Sequence, residues 1–112
     1  MNNSIIETSK VFDAKVRVQM VASLSVGDLT FSQLKEICQC STGNMTTHIK
    51  KLVEEDFITV NKEFKNNRPC TTYHLTQKGK QAFENYVESL NYFLQKEKEQ
   101  NELSMSENIV KA

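Results

Sequence analysis

The sequence predicts a mainly α domain with one small β-hairpin, an α+β fold, and three observations carry that reading. Apolar residues recur at three- and four-residue spacings in four separate segments, the period of a helix with one buried face. Between the third and fourth segments the period drops to two, in a pair of runs joined by a short polar turn. Glycine and proline are scarce, 3 and 1 in 112 residues, which argues against collagen-like, glycine-linker and many-stranded β architectures. The length suits one domain with one core.

The first helical segment runs roughly from Ser9 to Leu24, where Phe12, Val16, Met20 and Leu24 recur every four residues. Val21, Val18 and Val11 widen the face, and Gly27-Asp28 ends the pattern. Thr30-Phe31-Ser32-Gln33 has the form of a capping box and opens a short helix whose expected buried face is Phe31, Leu34, Ile37 and Cys38. Cys40-Ser41-Thr42-Gly43 interrupts it after about two turns. Ser41 can cap a third helix, near Thr42 to Asp56, that is expected to bury Met45, Ile49, Leu52 and Val53.

At about 100° per residue, the opposite side of that helix carries Gly43, Thr47, Lys50 and Lys51, with Asn44 and Thr46 on its flanks. Next, Ile58, Val60 and Phe64 alternate with polar residues, and Tyr73 and Leu75 do the same after Lys65-Asn66-Asn67-Arg68-Pro69, a turn by composition. Two such strands make a hairpin. Thr76 can cap a last helix with apolar positions Phe83, Tyr86, Val87, Leu90, Phe93 and Leu94. Beyond about Lys96 the chain is polar and is expected to fray, dividing the protein into a folded part, 1–100, and a flexible tail, 101–112.

Fourteen basic residues balance fourteen acidic ones. The balance is not uniform: residues 41–80 hold seven Lys or Arg against four acids, and residues 81–112 hold three against six. A basic middle permits local phosphate binding without demanding it. No run of apolar residues approaches the roughly 18 of a membrane span, and the polar start is unlike a signal peptide. Three cysteines are too few for a disulfide scaffold, which points to a reducing cytoplasm. No membrane association is expected.

Helix, short helix, sharp turn, helix, hairpin and long helix is the element order of a winged helix-turn-helix. The helix after the turn can enter a major groove, about 12 Å wide. Its leading side chains then need to be small and polar, as Thr42, Asn44, Thr46 and Thr47 are. Lys50 and Lys51, one turn on, suit flanking phosphates. The hairpin tip, Lys65, Asn66, Asn67 and Arg68, suits the backbone or the adjacent minor groove.

Two blocks also resemble a known family. Leu34-Lys35-Glu36-Ile37, with Gly43-Asn44-Met45-Thr46-Thr47-His48-Ile49-Lys50-Lys51-Leu52, resembles the MarR-type winged-helix transcriptional regulators. The likeness is to the small subgroup with a Gly-Asn-Leu-Ser-x-His-Leu-like recognition helix. Arg68-Pro69-Cys70-Thr71-Thr72-Tyr73-His74-Leu75-Thr76-Gln77-Lys78-Gly79 resembles that subgroup's wing. Cys70 is a departure, because a basic residue is more usual there. The resemblance spans roughly Val16 to Leu90. It implies a dimeric bacterial or archaeal regulator that binds double-stranded DNA, with dimer contacts from the terminal helices.

The last helix independently suggests a homodimer, because its stripe of six apolar residues is longer than a small core needs. Ile5, Ile6 and Phe12 are candidates to join that interface. Other readings compete. The same fold can serve as a protein-interaction module, and Cys38-Gln39-Cys40 could begin a thiol-based redox or metal-responsive site. Zinc wants about four ligands, however, and only Cys70, His48 and His74 remain to complete a set. Free cysteine more often behaves as a small buried hydrophobe. His48 is expected to pack at the edge of the buried stripe, and His74 to be exposed. No catalytic triad, phosphate loop or paired-histidine motif is present, so no enzyme, metal or cofactor is expected. Effector, operator and direction of regulation are not written in the residues.

Overall fold

The computed structural model describes residues 8–111, with side chains to residue 101. A 3-10 helix (Lys10–Asp13) leads into α1 (Lys15–Leu24), β1 (Leu29–Thr30), α2 (Phe31–Cys38) and α3 (Thr42–Glu54). The antiparallel strands β2 (Ile58–Lys65) and β3 (Arg68–Leu75) and the long helix α4 (Gln77–Lys111) follow. The order is that of a winged helix-turn-helix, as expected. α4 continues in helical form past residue 100, where the sequence places the start of a polar tail.

The first helical segment is not continuous. Ala14 is extended (φ −101°, ψ 124°) and separates the 3-10 helix from α1. Ser9 caps the 3-10 helix by accepting from the Val11 N–H at 3.1 Å. The break turns Val11 and Phe12 into the core, where both are buried. Phe12 packs its ring against Phe57, Phe83 and Tyr86, with centroids 5.9, 6.1 and 4.9 Å away. That aromatic cluster ties the chain's early part to the first half of α4. Phe12 is therefore a core residue and is not available to a dimer interface. Ile5 and Ile6 lie outside the described residues.

The capping box at α2 forms as read. Thr30 Oγ1 accepts from the Gln33 N–H at 3.2 Å, and the Thr30 N–H donates to Gln33 Oε1 at 2.9 Å. Leu34 and Cys38 are buried, but Ile37 is 48% exposed. In an eight-residue helix the core reaches a narrow face, and Ile37, about 300° on from Leu34 at 100° per residue, falls at its edge. Val53 likewise points outward from the end of α3, whose core contacts are Met45, Ile49 and Leu52.

The sheet has three strands in the order β1-β3-β2. The two-residue β1, which periodicity is too short to show, pairs Leu29 with Tyr73 and Thr30 with Thr72. The hairpin turn is tighter than the five residues suggested by composition: Lys65 already pairs with Arg68. Only Asn66 and Asn67 form the loop, both left-handed at φ 54° and 63°, the backbone of a type I′ turn that asparagine tolerates. Pro69 pairs with Phe64 in the next, non-hydrogen-bonded position, where the missing N–H costs the ladder nothing. Ile58, Tyr73 and Leu75 on one face of the hairpin are buried. Phe64, on the same face but beyond the body, is 77% exposed rather than buried.

The start of α4 is fastened to the start of β2. The Thr76 hydroxyl donates to the Asp56 carbonyl at 2.6 Å, with the Phe57 carbonyl at 3.1 Å, and accepts from the Gly79 N–H at 3.0 Å. The Thr76 N–H donates to the same Phe57 carbonyl at 2.9 Å. Gly79 sits so close that a Cβ there would overlap the Phe57 carbonyl oxygen and lie 2.7 Å from Leu75 Cδ1.

Candidate nucleic-acid interface

α2 ends at Gln39, in the left-handed conformation (φ 52°), and α3 begins three residues later at Thr42. Ser41 caps α3, its hydroxyl accepting from the Asn44 N–H at 3.2 Å. With Met45, Ile49 and Leu52 buried, α3 is clamped to the body along one side only. Thr42, Asn44, Thr46, Thr47, Lys50 and Lys51 are all exposed on the rest of its surface. The six expected helix residues are all accessible, spread over the roughly 200° of the helix that the core leaves uncovered.

The chemistry of that face is more specific than its polarity. Thr46 Oγ1 donates to the Thr42 carbonyl at 2.9 Å, and Thr47 Oγ1 to the Gly43 carbonyl at 3.1 Å. Each hydroxyl proton is engaged inside the helix, so the threonines offer outward an acceptor lone pair and a methyl group. Those groups suit the amino group of cytosine or adenine and the methyl of thymine. The amide side chain of Asn44 makes no hydrogen bond among the described residues and keeps its donor and acceptor pair available. A Cβ built on Gly43 would meet nothing within 4 Å. The protein's own packing does not require that glycine.

α3 is held in place at its flank by α1. Arg17 Nε donates to the Val11 carbonyl at 2.7 Å, and its Nη1 lies 3.1 Å from His48 Nδ1. Because arginine has no acceptor, His48 Nδ1 must accept, which fixes a neutral ring with its proton on Nε2. Burial, and secondarily the Arg17 charge, push the His48 pKa below its ordinary value. His48 therefore has the packing role expected of it, and Arg17 is the partner that periodicity did not single out. Lys51 lies beside Arg17, Glu54, Glu55 and Lys78 on an open groove of roughly 1090 Å³ bounded by the 3-10 helix and the start of α4. Its lining mixes both signs of charge.

At the wing, Lys65, Asn66, Asn67 and Arg68 are all exposed at the tip, and Cys70 is half-buried. His74 is exposed as expected, and pairs with Asp28 at 2.7 Å across to the loop before β1. Cys38 is buried at the end of α2, and burial, then the neighbouring Cys40, pushes its pKa up. A thiol with a raised pKa is less nucleophilic, the opposite of a reactive centre. Among the described residues no group of three or more His, Cys, Asp or Glu is placed to hold a metal. Within the same limits no helix is long and apolar enough to cross a membrane.

The stripe on α4 divides in two. Phe83 and Tyr86 are half-buried and pack against the chain's own core. Val87, Leu90, Phe93 and Leu94 are exposed, Leu90 at 50% and Phe93 at 67%. Tyr92, also exposed, meets Phe93 edge-on at 5.5 Å. It falls off the three- and four-residue spacing, so periodicity passed over it.

Comparison with known proteins agrees with this geometry. Residues 16–94, from α1 to the middle of α4, match the family described as winged helix DNA-binding domain. An uncharacterized protein of Methanocaldococcus jannaschii is 37% identical over 79 residues, covering 70% of this chain and 86% of that protein. A transcriptional regulator homologue from Pyrococcus horikoshii superposes with a TM-score of 0.71 at 23% identity, over 78% of this chain and 87% of the other. A MarR-family putative transcriptional regulator from Porphyromonas gingivalis gives a TM-score of 0.64 at 16% identity, over 76% and 83% of the two chains. At such identities the two solved structures speak to the fold. Family match, element order and the exposed polar face of α3 converge: this chain belongs to the winged helix DNA-binding domain family and has the fold of the MarR-type regulators.

Proposed function

We propose that the protein is a transcriptional regulator that binds double-stranded DNA sequence-specifically as a homodimer in the cytoplasm. The observation that carries this reading is the outward face of α3. It presents small polar groups and a glycine that the fold does not need, followed by two lysines. Asn44, Thr46 and Thr47 read base edges, Thr42 lies at the leading end, and Lys50 and Lys51 bind flanking phosphates. The tip residues Lys65, Asn66, Asn67 and Arg68 touch the backbone or the adjacent minor groove. Val87, Leu90, Phe93 and Leu94 meet their copies in a second chain, extending a stripe that Phe83 and Tyr86 begin inside the protomer. Exposed apolar surface of this kind supports an interface.

A two-fold dimer spaces its recognition helices about one DNA turn, roughly 34 Å, apart, so the preferred site is an approximate palindrome. Selection of bound duplexes from a random pool tests the reading directly. Enrichment of a palindromic motif is the expected result, and Lys50→Ala or Arg68→Ala each lowers the salt slope by about one unit. A pool that stays random, with no duplex binding at low salt, refutes it. Sedimentation tests the dimer: the native chain is expected to be dimeric at micromolar concentration, and a Leu90→Asp, Phe93→Asp double variant monomeric.

A further inference from the structure

Phe64, at 77%, is the most exposed aromatic side chain among the described residues. It lies on the face of the hairpin that begins in the core with Ile58, Leu75 and Tyr73. That face continues past the body through the Lys62–Thr71 pair to the Phe64–Pro69 pair. At about 3.3 Å per residue, Phe64 stands roughly 20 Å along the strand from buried Ile58. The two apolar rings occupy a non-hydrogen-bonded pair, in which side chains approach closely. One residue beyond them the ladder closes through the left-handed Asn66 and Asn67, so the pair sits on a stiff two-residue turn rather than a loose loop.

The surroundings indicate what such a tip can enter. Lys62 shares the face of Phe64, while Lys65 and Arg68, one position nearer the turn, lie on the opposite face with Glu63, the only carboxylate in β2 or β3. An apolar tip with cations on both faces suits a polyanion with an apolar interior. Duplex DNA has that form, with phosphates along the groove edges and stacked bases and sugars between them.

We propose that Phe64, backed by Pro69, is a wedge that enters the minor groove beside each half-site and partly unstacks one base step, bending the duplex. Lys62, Lys65 and Arg68 bind the phosphates on either side and hold the wedge in register. Apolar side chains used in this way kink DNA by about 20–90°. Pyrimidine–purine steps unstack most easily, so the wedge adds a preference for TA or CA/TG at positions that α3 does not touch. The inference rests on the DNA-binding reading above and names a further specificity residue for it.

The test uses the full chain and the duplex returned by random selection, with 2-aminopurine placed at the pyrimidine–purine step outside the α3 contacts. The native chain is expected to raise the 2-aminopurine fluorescence and to bend the duplex, as read by end-to-end energy transfer. Phe64→Ala is expected to lose both signals and bind about tenfold more weakly, the scale of one base–aromatic contact, at an unchanged salt slope. Its thermal transition is expected to match the native one, because the ring contributes little to the core. Native bending and affinity in Phe64→Ala overturn the wedge while leaving the DNA-binding reading intact. Conversion of Phe64→Ala to a monomer also overturns it, by showing that a second chain covers the ring. Failure of the native chain to select any duplex overturns both.

Discussion

Two glycines mark two regions built to different demands. At the junction of β2, β3 and α4, Gly79 lies against the Phe57 carbonyl and Leu75, and the Thr76 hydroxyl is bonded on both sides. Every choice there answers to another atom of the same chain. On the outer face of α3, Gly43 has open space around it, and the exposed Asn44 amide makes no hydrogen bond among the described residues. A glycine inside a helix costs about 1 kcal/mol relative to alanine, yet this one relieves no contact. The contrast separates residues whose identity the fold dictates from residues that it leaves free.

The largest expected effect sharpens the first half of that comparison. Gly79→Ala forces a methyl into the Phe57 backbone, and overpacking of this kind costs about 2–3 kcal/mol. A lower urea midpoint with an unchanged m value is the expected readout. Gly43→Ala is the opposite case. It is expected to stabilise the fold by up to about 1 kcal/mol while weakening duplex binding, if this face of α3 enters the groove as proposed. A Gly43→Ala variant that is both more stable and fully competent for binding would break the comparison.

The smallest effect is in the link between α1 and α3. Burial and Arg17 hold the His48 pKa below its ordinary 6.5. The unfolded chain therefore takes up the proton first as pH falls. The contribution is complete above 6.5 and is lost as pH drops through that value toward the lower folded one. Urea titrations across this range are expected to show a shallow decline in stability toward acid. His48→Gln, which keeps an acceptor for Arg17 but does not titrate, is expected to flatten it.

α4 shows the same division within one element. Its first three turns share Phe83 and Tyr86 with the core through Phe12, whereas Val87, Leu90, Phe93 and Leu94 are exposed among the described residues. A periodic stripe in sequence cannot show where the protomer stops covering it. Phe83, Tyr86, Val87, Leu90, Phe93 and Leu94 keep one helical stripe across that boundary.

Elements set by near neighbours were legible in the residues alone. The capping box of Thr30 and Gln33, the Ser41 cap, the buried Met45, Ile49 and Leu52 of α3 and the switch to period two at the hairpin depend on interactions a few residues apart. So does the polar face of α3, because a helix converts spacing directly into sides. What only the tertiary structure decided depends on residues far apart in the chain. Ala14 breaks the first helix so that Phe12 can reach Phe57 and Tyr86, and the short β1 exists only as a partner of β3. Arg17 finds His48 across 31 positions. Ile37 and Val53 look buried by helical period and Phe64 by alternation, but all three are exposed, because period assigns a side chain to a face and says nothing about how far the body extends beneath it.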